Sequence, residues 1–146
     1  MEKRIDINEL EPGAYKAVLG LEKYLGETAL DATLKELIKI RASQINGCAY
    51  CIQMHAEDAL KQGETNQRIF ALSAWRESPL FTETERAVLA LTEEVTLISV
   101  SGLSAETYEA ALSLLGERTL AQAIMQIVTI NVWNRLAVAT HKVHEQ

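Results

Sequence analysis

Little in this sequence could knit a sheet. Val95 to Val100 is the one run rich in β-branched residues; with no second comparable run to pair with, it is expected to be a helix end or a loop. Proline is as scarce: Pro12 and Pro79 are the two in 146 residues. Each stands at a boundary, the first near a helix start and the second in a Ser78-Pro79 break. Cysteine is limited to Cys48 and Cys51, too few for a disulfide framework, and a chain of this length can bury a continuous core without such staples. Basic side chains are outnumbered, 14 against 20 acidic, which argues against sequence-independent binding to nucleic acid or anionic membrane, both of which need a basic face. No stretch suits a bilayer span. The most apolar, residues 120–140, contains Gln122, Gln126, Asn131, Asn134 and Arg135 and reads as a helix buried in protein. Met1 is followed by Glu2-Lys3-Arg4-Ile5-Asp6 without an apolar run, so no secretory signal is expected and a cytoplasmic location is the default.

What is present is helical pattern. Hydrophobic residues at 48% and charged residues at 23% fit one soluble globular domain over residues 1–146, with its core from about Pro12 to Val138. Glu11-Pro12-Gly13 opens a helix that Gly26 stops. Asp31 caps a second, with the stripe Leu34, Leu37, Ile38, Arg41, Ala42, Ile45, ended by Asn46-Gly47. A third runs from Cys48 toward Gly63, and the short connection makes these two an antiparallel hairpin. Asn66 to Arg76 is helical by pattern. Thr82-x-x-Glu85 is a capping box ahead of Ala87, Val88, Leu89, Leu91 and Val95. Ser104 caps a helix that Gly116 terminates, and Thr119-x-x-Gln122 opens the long last one. The tail from His141 to Gln146 is polar and expected to fray; its two histidines are assigned nothing. The expected architecture is all-α, six or seven helices, with no sheet, repeat or linker.

The chemistry concentrates in Cys48-Ala49-Tyr50-Cys51-Ile52-Gln53-Met54-His55. A short loop followed by a helix places Cys48 at a helix N-terminus, where free N–H groups and the macrodipole favour a thiolate. Spacings of i, i+3 and i+7 put Cys48, Cys51 and His55 on one face. Two sulfurs separated by two residues at a helix start can reach bonding distance, which suits dithiol/disulfide exchange. The bland alternative is a pair of small buried hydrophobes. A second alternative is zinc, held by Cys48, Cys51 and His55 with Glu36 as a fourth ligand, although a domain with its own core needs no such rescue. His55 reads either as a hydrogen-bonded packing residue or as a proton carrier for the sulfur one turn away. Periodicity sends Glu36 to solvent or into a box with Thr33, since it lies about half a turn from the apolar stripe. Ile40 and Ser43 share its side, which another helix or another subunit would have to cover.

Glu36, eleven residues, Cys48-x-x-Cys51, three residues and His55 together resemble the signature of the alkylhydroperoxidase AhpD-like family, within the carboxymuconolactone decarboxylase superfamily. The flanks Leu34-Lys35-Glu36-Leu37-Ile38, Arg41 to Gly47, Met54-His55-Ala56, Trp75-Arg76-Glu77-Ser78, Glu85-Arg86-Ala87 and Asn131-Val132-Trp133-Asn134-Arg135 are similar too. The resemblance implies an all-helical fold and a redox-active disulfide that reduces peroxides in an antioxidant role. It implies no bound cofactor and no metal, but an external dithiol reductant, dihydrolipoyl or thioredoxin-like. It implies Cys51 as the thiol that meets peroxide, Cys48 as the one that closes the disulfide, Glu36 as proton acceptor and His55 in the relay. The helix-end argument favours Cys48 instead, so the attacking sulfur stays open. The family's characterised peroxidase has a His where this chain has Tyr50, an accessory position. The resemblance further implies a homo-oligomer, a hexamer or else a trimer or dimer, with the side of Ile40 as a subunit contact. A decarboxylase of the same superfamily that does not use the thiols is the remaining enzymatic alternative.

Overall fold

The computed structural model describes Glu2 and residues 4–144, all helices and connecting turns, with no strand among them. In chain order the helices are α1 (Ile7–Leu10), α2 (Pro12–Gly26), α3 (Ala32–Asn46), α4 (Ala49–Lys61), α5 (Asn66–Ala71) with a 3₁₀ turn (Leu72–Ala74), α6 (Glu83–Thr96), α7 (Ile98–Ser101) and α8 (Ala105–Ala139). Each expected helical segment is helical in the structure, two of them with different boundaries. The additions are α1 and α7, single turns too short to carry a periodic signal. Asp31 caps α3 by accepting from the Thr33 and Leu34 N–H groups, and the Thr82/Glu85 capping box opens α6 as expected.

The centre of the fold is α3. One side of it, Leu34, Ile38 and Ala42, packs against Val88 and Leu91 of α6 and against Ala123, Ile127 and Ile130 of α8. The other side, Leu37 and Ile40, packs with Ala59, Leu72, Trp75 and Leu89. Burying each of these Leu and Ile side chains is worth roughly 1.5–3 kcal/mol, so the helix is fixed from both sides. Ile40 is fully buried within its own chain, so of the two covers expected for that side, another helix or another subunit, the first is present, supplied by α4, the 3₁₀ turn and α6.

Two boundaries differ from the sequence expectation. The segment from Asn66 to Arg76 is not one helix but α5 followed by the 3₁₀ turn. The cause is tertiary: Trp75 Nε1 donates to Glu93 Oε1 at 2.7 Å, and the Arg86 guanidinium donates to the carbonyls of Trp75, Arg76 and Ser78. At the other boundary, Gly116 at φ 75°, ψ 164° occupies a region that is essentially glycine's alone. It kinks α8, and helical conformation resumes directly after it, ahead of Thr119. The Thr119/Gln122 box does not form, since Gln122 Oε1 has no hydrogen-bond partner.

The tail is not frayed as far as it is described. Residues 140–144 turn back over α4, while Glu145 and Gln146 lie outside the described residues, as do Met1 and Lys3.

Candidate active site

The turn between α3 and α4 is built from two hydrogen bonds and one glycine. Gly47 is left-handed, at φ 67° and ψ 32°. Its N–H donates to Gln44 O at 3.3 Å, and the Cys48 N–H donates to Ser43 O at 3.0 Å, the pairing of a Schellman motif. The chain thereby leaves α3 and enters α4 without a spacer, and Cys48 is at once the residue beyond one helix and the N-cap of the next. Its Sγ accepts the Cys51 N–H at 3.2 Å, the place a serine hydroxyl takes in an ordinary cap. Cys48 and Cys51 are joined as a disulfide, with Cα atoms 5.3 Å apart. Both are buried, packed with Ala137 of α8 and with Tyr50.

A ladder of carboxamides fastens this turn to α8. Asn46 Nδ2 donates to the Oδ1 atoms of Asn131 and Asn134, each at 2.9 Å. Asn134 Nδ2 donates in turn to Ser43 Oγ at 2.9 Å, and Asn131 Nδ2 to Thr96 Oγ1 at 3.0 Å. The polar residues that interrupt the last helix therefore hold the end of α3, and through it Cys48.

Glu36 is buried, not exposed as periodicity expects. A helix enclosed on both sides has no solvent face at this point. Glu36 Oε1 pairs with Lys39 Nζ at 2.6 Å, while Oε2 stands 3.7 Å from His55 Nδ1. Neither Glu36 Oε2 nor His55 Nδ1 has a hydrogen-bond partner. Burial pushes the Glu36 carboxyl above its ordinary range, against the pull of the Lys39 ammonium. Burial, helped by Lys39, lowers His55 to about 4. Near neutral pH the imidazole is therefore uncharged, and the carboxylate beside it is a stronger base than an exposed one.

A cavity of about 640 Å³ opens beside this pair. Cys51, Met54 and His55 of α4 line one wall, Tyr15, Leu19 and Glu22 of α2 another, and Trp133, Leu136 and Ala137 of α8 a third. Cys48 and Glu36 lie behind that surface, so Cys51 is the sulfur on the cavity wall. Helix α2 buries only Leu25 and acts as an outer wall, held through Trp133 Nε1 donating to Glu22 Oε1 at 2.9 Å.

The structure thus gathers Glu36, Cys48, Cys51 and His55 into one site. Among the described residues no group of three or more His, Cys, Asp or Glu side chains is disposed to hold a metal ion; the two sulfurs that the zinc alternative would use are bonded to each other. Three residues were not foreseen. Lys39 pairs with Glu36, a contact that the i, i+3 spacing could have suggested. His144 stacks on Tyr50 with ring centroids 4.3 Å apart, and Lys142 Nζ lies 4.6 Å from the Tyr50 centroid. No periodicity leads to those two.

Residues 12–94 match the carboxymuconolactone decarboxylase family. The chain belongs to that family. Uncharacterized protein YdfG of Bacillus subtilis (strain 168) is 40% identical over 139 residues, 95% of each chain. Among solved structures, ATU0492 of Agrobacterium tumefaciens, a protein of unknown function with a suggested role as the antioxidant defence protein AhpD, superposes with a TM-score of 0.96 at 37% identity over 99% of both chains. The debrominase Bmp8 shares the fold at 22% identity and a TM-score of 0.83, over 94% of this chain and 74% of its own. The AhpD-like character expected of the Glu36, Cys48, Cys51 and His55 pattern is thus matched at the level of family and fold. No helix among the described residues is long and apolar enough to cross a membrane.

Proposed function

We propose that this member of the carboxymuconolactone decarboxylase family is a thiol-dependent hydroperoxide reductase. The observation that carries the reading is the Cys48–Cys51 disulfide whose Cys51 lies on the cavity wall beside His55, with Glu36 next behind. In the reduced enzyme the Cys51 proton passes by way of His55, or a water beside it, to Glu36. The thiolate attacks one oxygen of the O–O bond; the sulfur becomes a sulfenic acid, and the other oxygen leaves as water or an alcohol with the proton returned from Glu36. The Cys48 thiol condenses with the sulfenic acid, forming the disulfide and releasing water. An external dithiol, dihydrolipoyl or thioredoxin-like, then reduces the disulfide and is itself oxidised. No bound cofactor enters the cycle. Cys51 is the better attacking sulfur because it has both access and a base, while Cys48 has the helix N-terminus to stabilise it as a departing thiolate.

The test is hydroperoxide consumption with dihydrolipoamide as reductant. Cys51→Ser and Glu36→Ala should each lose most of the wild-type rate. Equal rates in all three proteins would overturn the reading, and an activity on another substrate that survives alkylation of both thiols would place the chain among the non-redox enzymes of its family.

Homo-oligomerisation, as a hexamer, belongs to the same proposal. Phe70, Val100 and Ile98 are 79%, 76% and 60% exposed on a single chain, apolar surface that a subunit contact would cover. Sedimentation velocity should show a species larger than one chain, and a monomer at micromolar concentration would remove this part.

A further inference from the structure

The end of α8 repeats the construction of the α3–α4 turn, with histidine in place of glycine. The His141 N–H donates to Val138 O at 3.3 Å and the Lys142 N–H to Ala137 O at 2.9 Å, again the Schellman pairing. His141 takes the left-handed position at φ 53°, the one non-glycine residue described with positive φ. Such a conformation costs energy and persists where the surroundings impose it. They do so here from the other terminus. The Arg4 N–H donates to Thr140 O at 3.3 Å, Arg4 Nη1 to Ala139 O at 3.0 Å, and His141 Nδ1 lies 3.3 Å from Glu2 O.

The strap so formed, residues 140–144, ends on the disulfide loop. His144 Nε2 is 2.9 Å from the Tyr50 carbonyl oxygen, so it is the protonated ring nitrogen, and its ring stacks on Tyr50. Lys142 places its ammonium over the same ring. Tyr50 lies between the two cysteines and packs in one cluster with both sulfur residues. The Tyr50 side chain thus has a cation over its ring and packs against a buried disulfide.

We propose that this C-terminal strap sets the redox poise of the Cys48–Cys51 pair, with Lys142 and His144 as positioning residues acting through Tyr50. The inference rests on the reading that the pair cycles as a disulfide. The disulfide is neutral, so a nearby positive charge leaves it almost untouched. Reduction adds two electrons and two protons, and once Glu36 has taken one of those protons the pair stands as a thiol and a thiolate, the form that the charge stabilises. The sulfurs are buried, which limits screening on their side. Of the other charges at the site, Lys39 is paired with Glu36, while Asp6, Glu22 and Asp58 line the cavity and oppose the effect. The strap therefore makes the disulfide easier to reduce than the same loop without it.

The test is the midpoint of reduction in glutathione redox buffers at neutral pH, read by counting alkylated thiols on the full chain. Lys142→Gln, at an exposed side chain, should need an about three- to tenfold more reducing buffer, a shift of roughly 15–30 mV for a two-electron couple. Lys142→Arg should restore the wild-type midpoint, and His144→Ala should move it in the same direction as Lys142→Gln. A Lys142→Gln midpoint equal to wild type at low salt would overturn the proposal. No peroxide enters this measurement, so it separates failure of the strap from failure of the peroxidase reading.

Discussion

His55 Nδ1 faces Glu36 Oε2 across 3.7 Å, and neither atom is hydrogen-bonded to anything else. Two buried polar atoms left unpaired at this separation are costly in a finished core. In an active site they are ready to pass a proton, with one small movement or one water closing the gap. Lys39 occupies the other carboxylate oxygen, which leaves Oε2 for proton transfer in the proposed cycle.

The first prediction concerns that proton. Burial holds Glu36 above its usual range, with Lys39 pulling the other way, so under the proposed peroxidase cycle the acid limb of the pH profile should lie above an ordinary carboxylate pKa. Glu36→Gln should abolish that limb and cut the rate by about 10²-fold or more. The profile of kcat/KM against pH for both proteins decides it. An unchanged limb in the variant would assign the titration elsewhere.

A second prediction follows from the neutral imidazole. His55 is lowered from 6.5 to about 4 by burial and by Lys39, so acid favours the unfolded chain, which takes up this proton first. The contribution is fully present above pH 6.5 and is lost as pH falls to about 4, worth on the order of 3 kcal/mol. Glu36, raised rather than lowered, works in the opposite sense. The His55 part is therefore read as a difference: urea unfolding of wild type should lose stability across this window more steeply than His55→Gln. Parallel curves would contradict it.

Asn134 should matter for both fold and site. It is fully buried, donates to Ser43 Oγ and accepts from Asn46 Nδ2. Asn134→Ala removes one hydrogen bond from each partner, leaving Asn46 Nδ2 with Asn131 Oδ1 and Ser43 Oγ with Lys39 O, and should cost roughly 1–3 kcal/mol in chemical denaturation. Because Asn46 anchors the turn that presents Cys48, the variant's thiols after reduction should also alkylate at altered rates. Stability loss without any change in thiol reactivity would make the ladder a packing device alone.

Gly47→Ala isolates the backbone term. A Cβ built there meets nothing within 4 Å, so steric crowding contributes nothing, and the left-handed φ of 67° should cost about 1–2 kcal/mol. Gly47→Asn should cost less, since asparagine visits this region more readily. The urea midpoints of the three proteins measure the order.

How much of this was legible in the chain varies from residue to residue. Asp31, Gly47, Thr82 and Glu85 announce their roles through local chemistry, because caps and left-handed turns are satisfied within a few residues. The same locality makes Cys48 an N-cap and puts Cys51 and His55 on its face. Thr119 and Gln122 carry an equally good local signal, yet the box does not form, since helical conformation resumes ahead of it right after Gly116. Glu36 marks the limit of periodicity: an amphipathic stripe tells which face is buried only when one face is exposed, and α3 is enclosed by two separate clusters.

By itself, then, the sequence determined the helices, their hairpin and the placing of both sulfurs at one helix start, because hydrogen bonds between near neighbours decide these things. Only the tertiary structure buried Glu36 against His55, ended the α-helix of the Asn66–Arg76 segment at Ala71 ahead of a tryptophan held by Glu93, and brought Lys142 and His144 over Tyr50. Those contacts join residues far apart in the chain, and their energies depend on burial and electric field, which no short window of sequence contains.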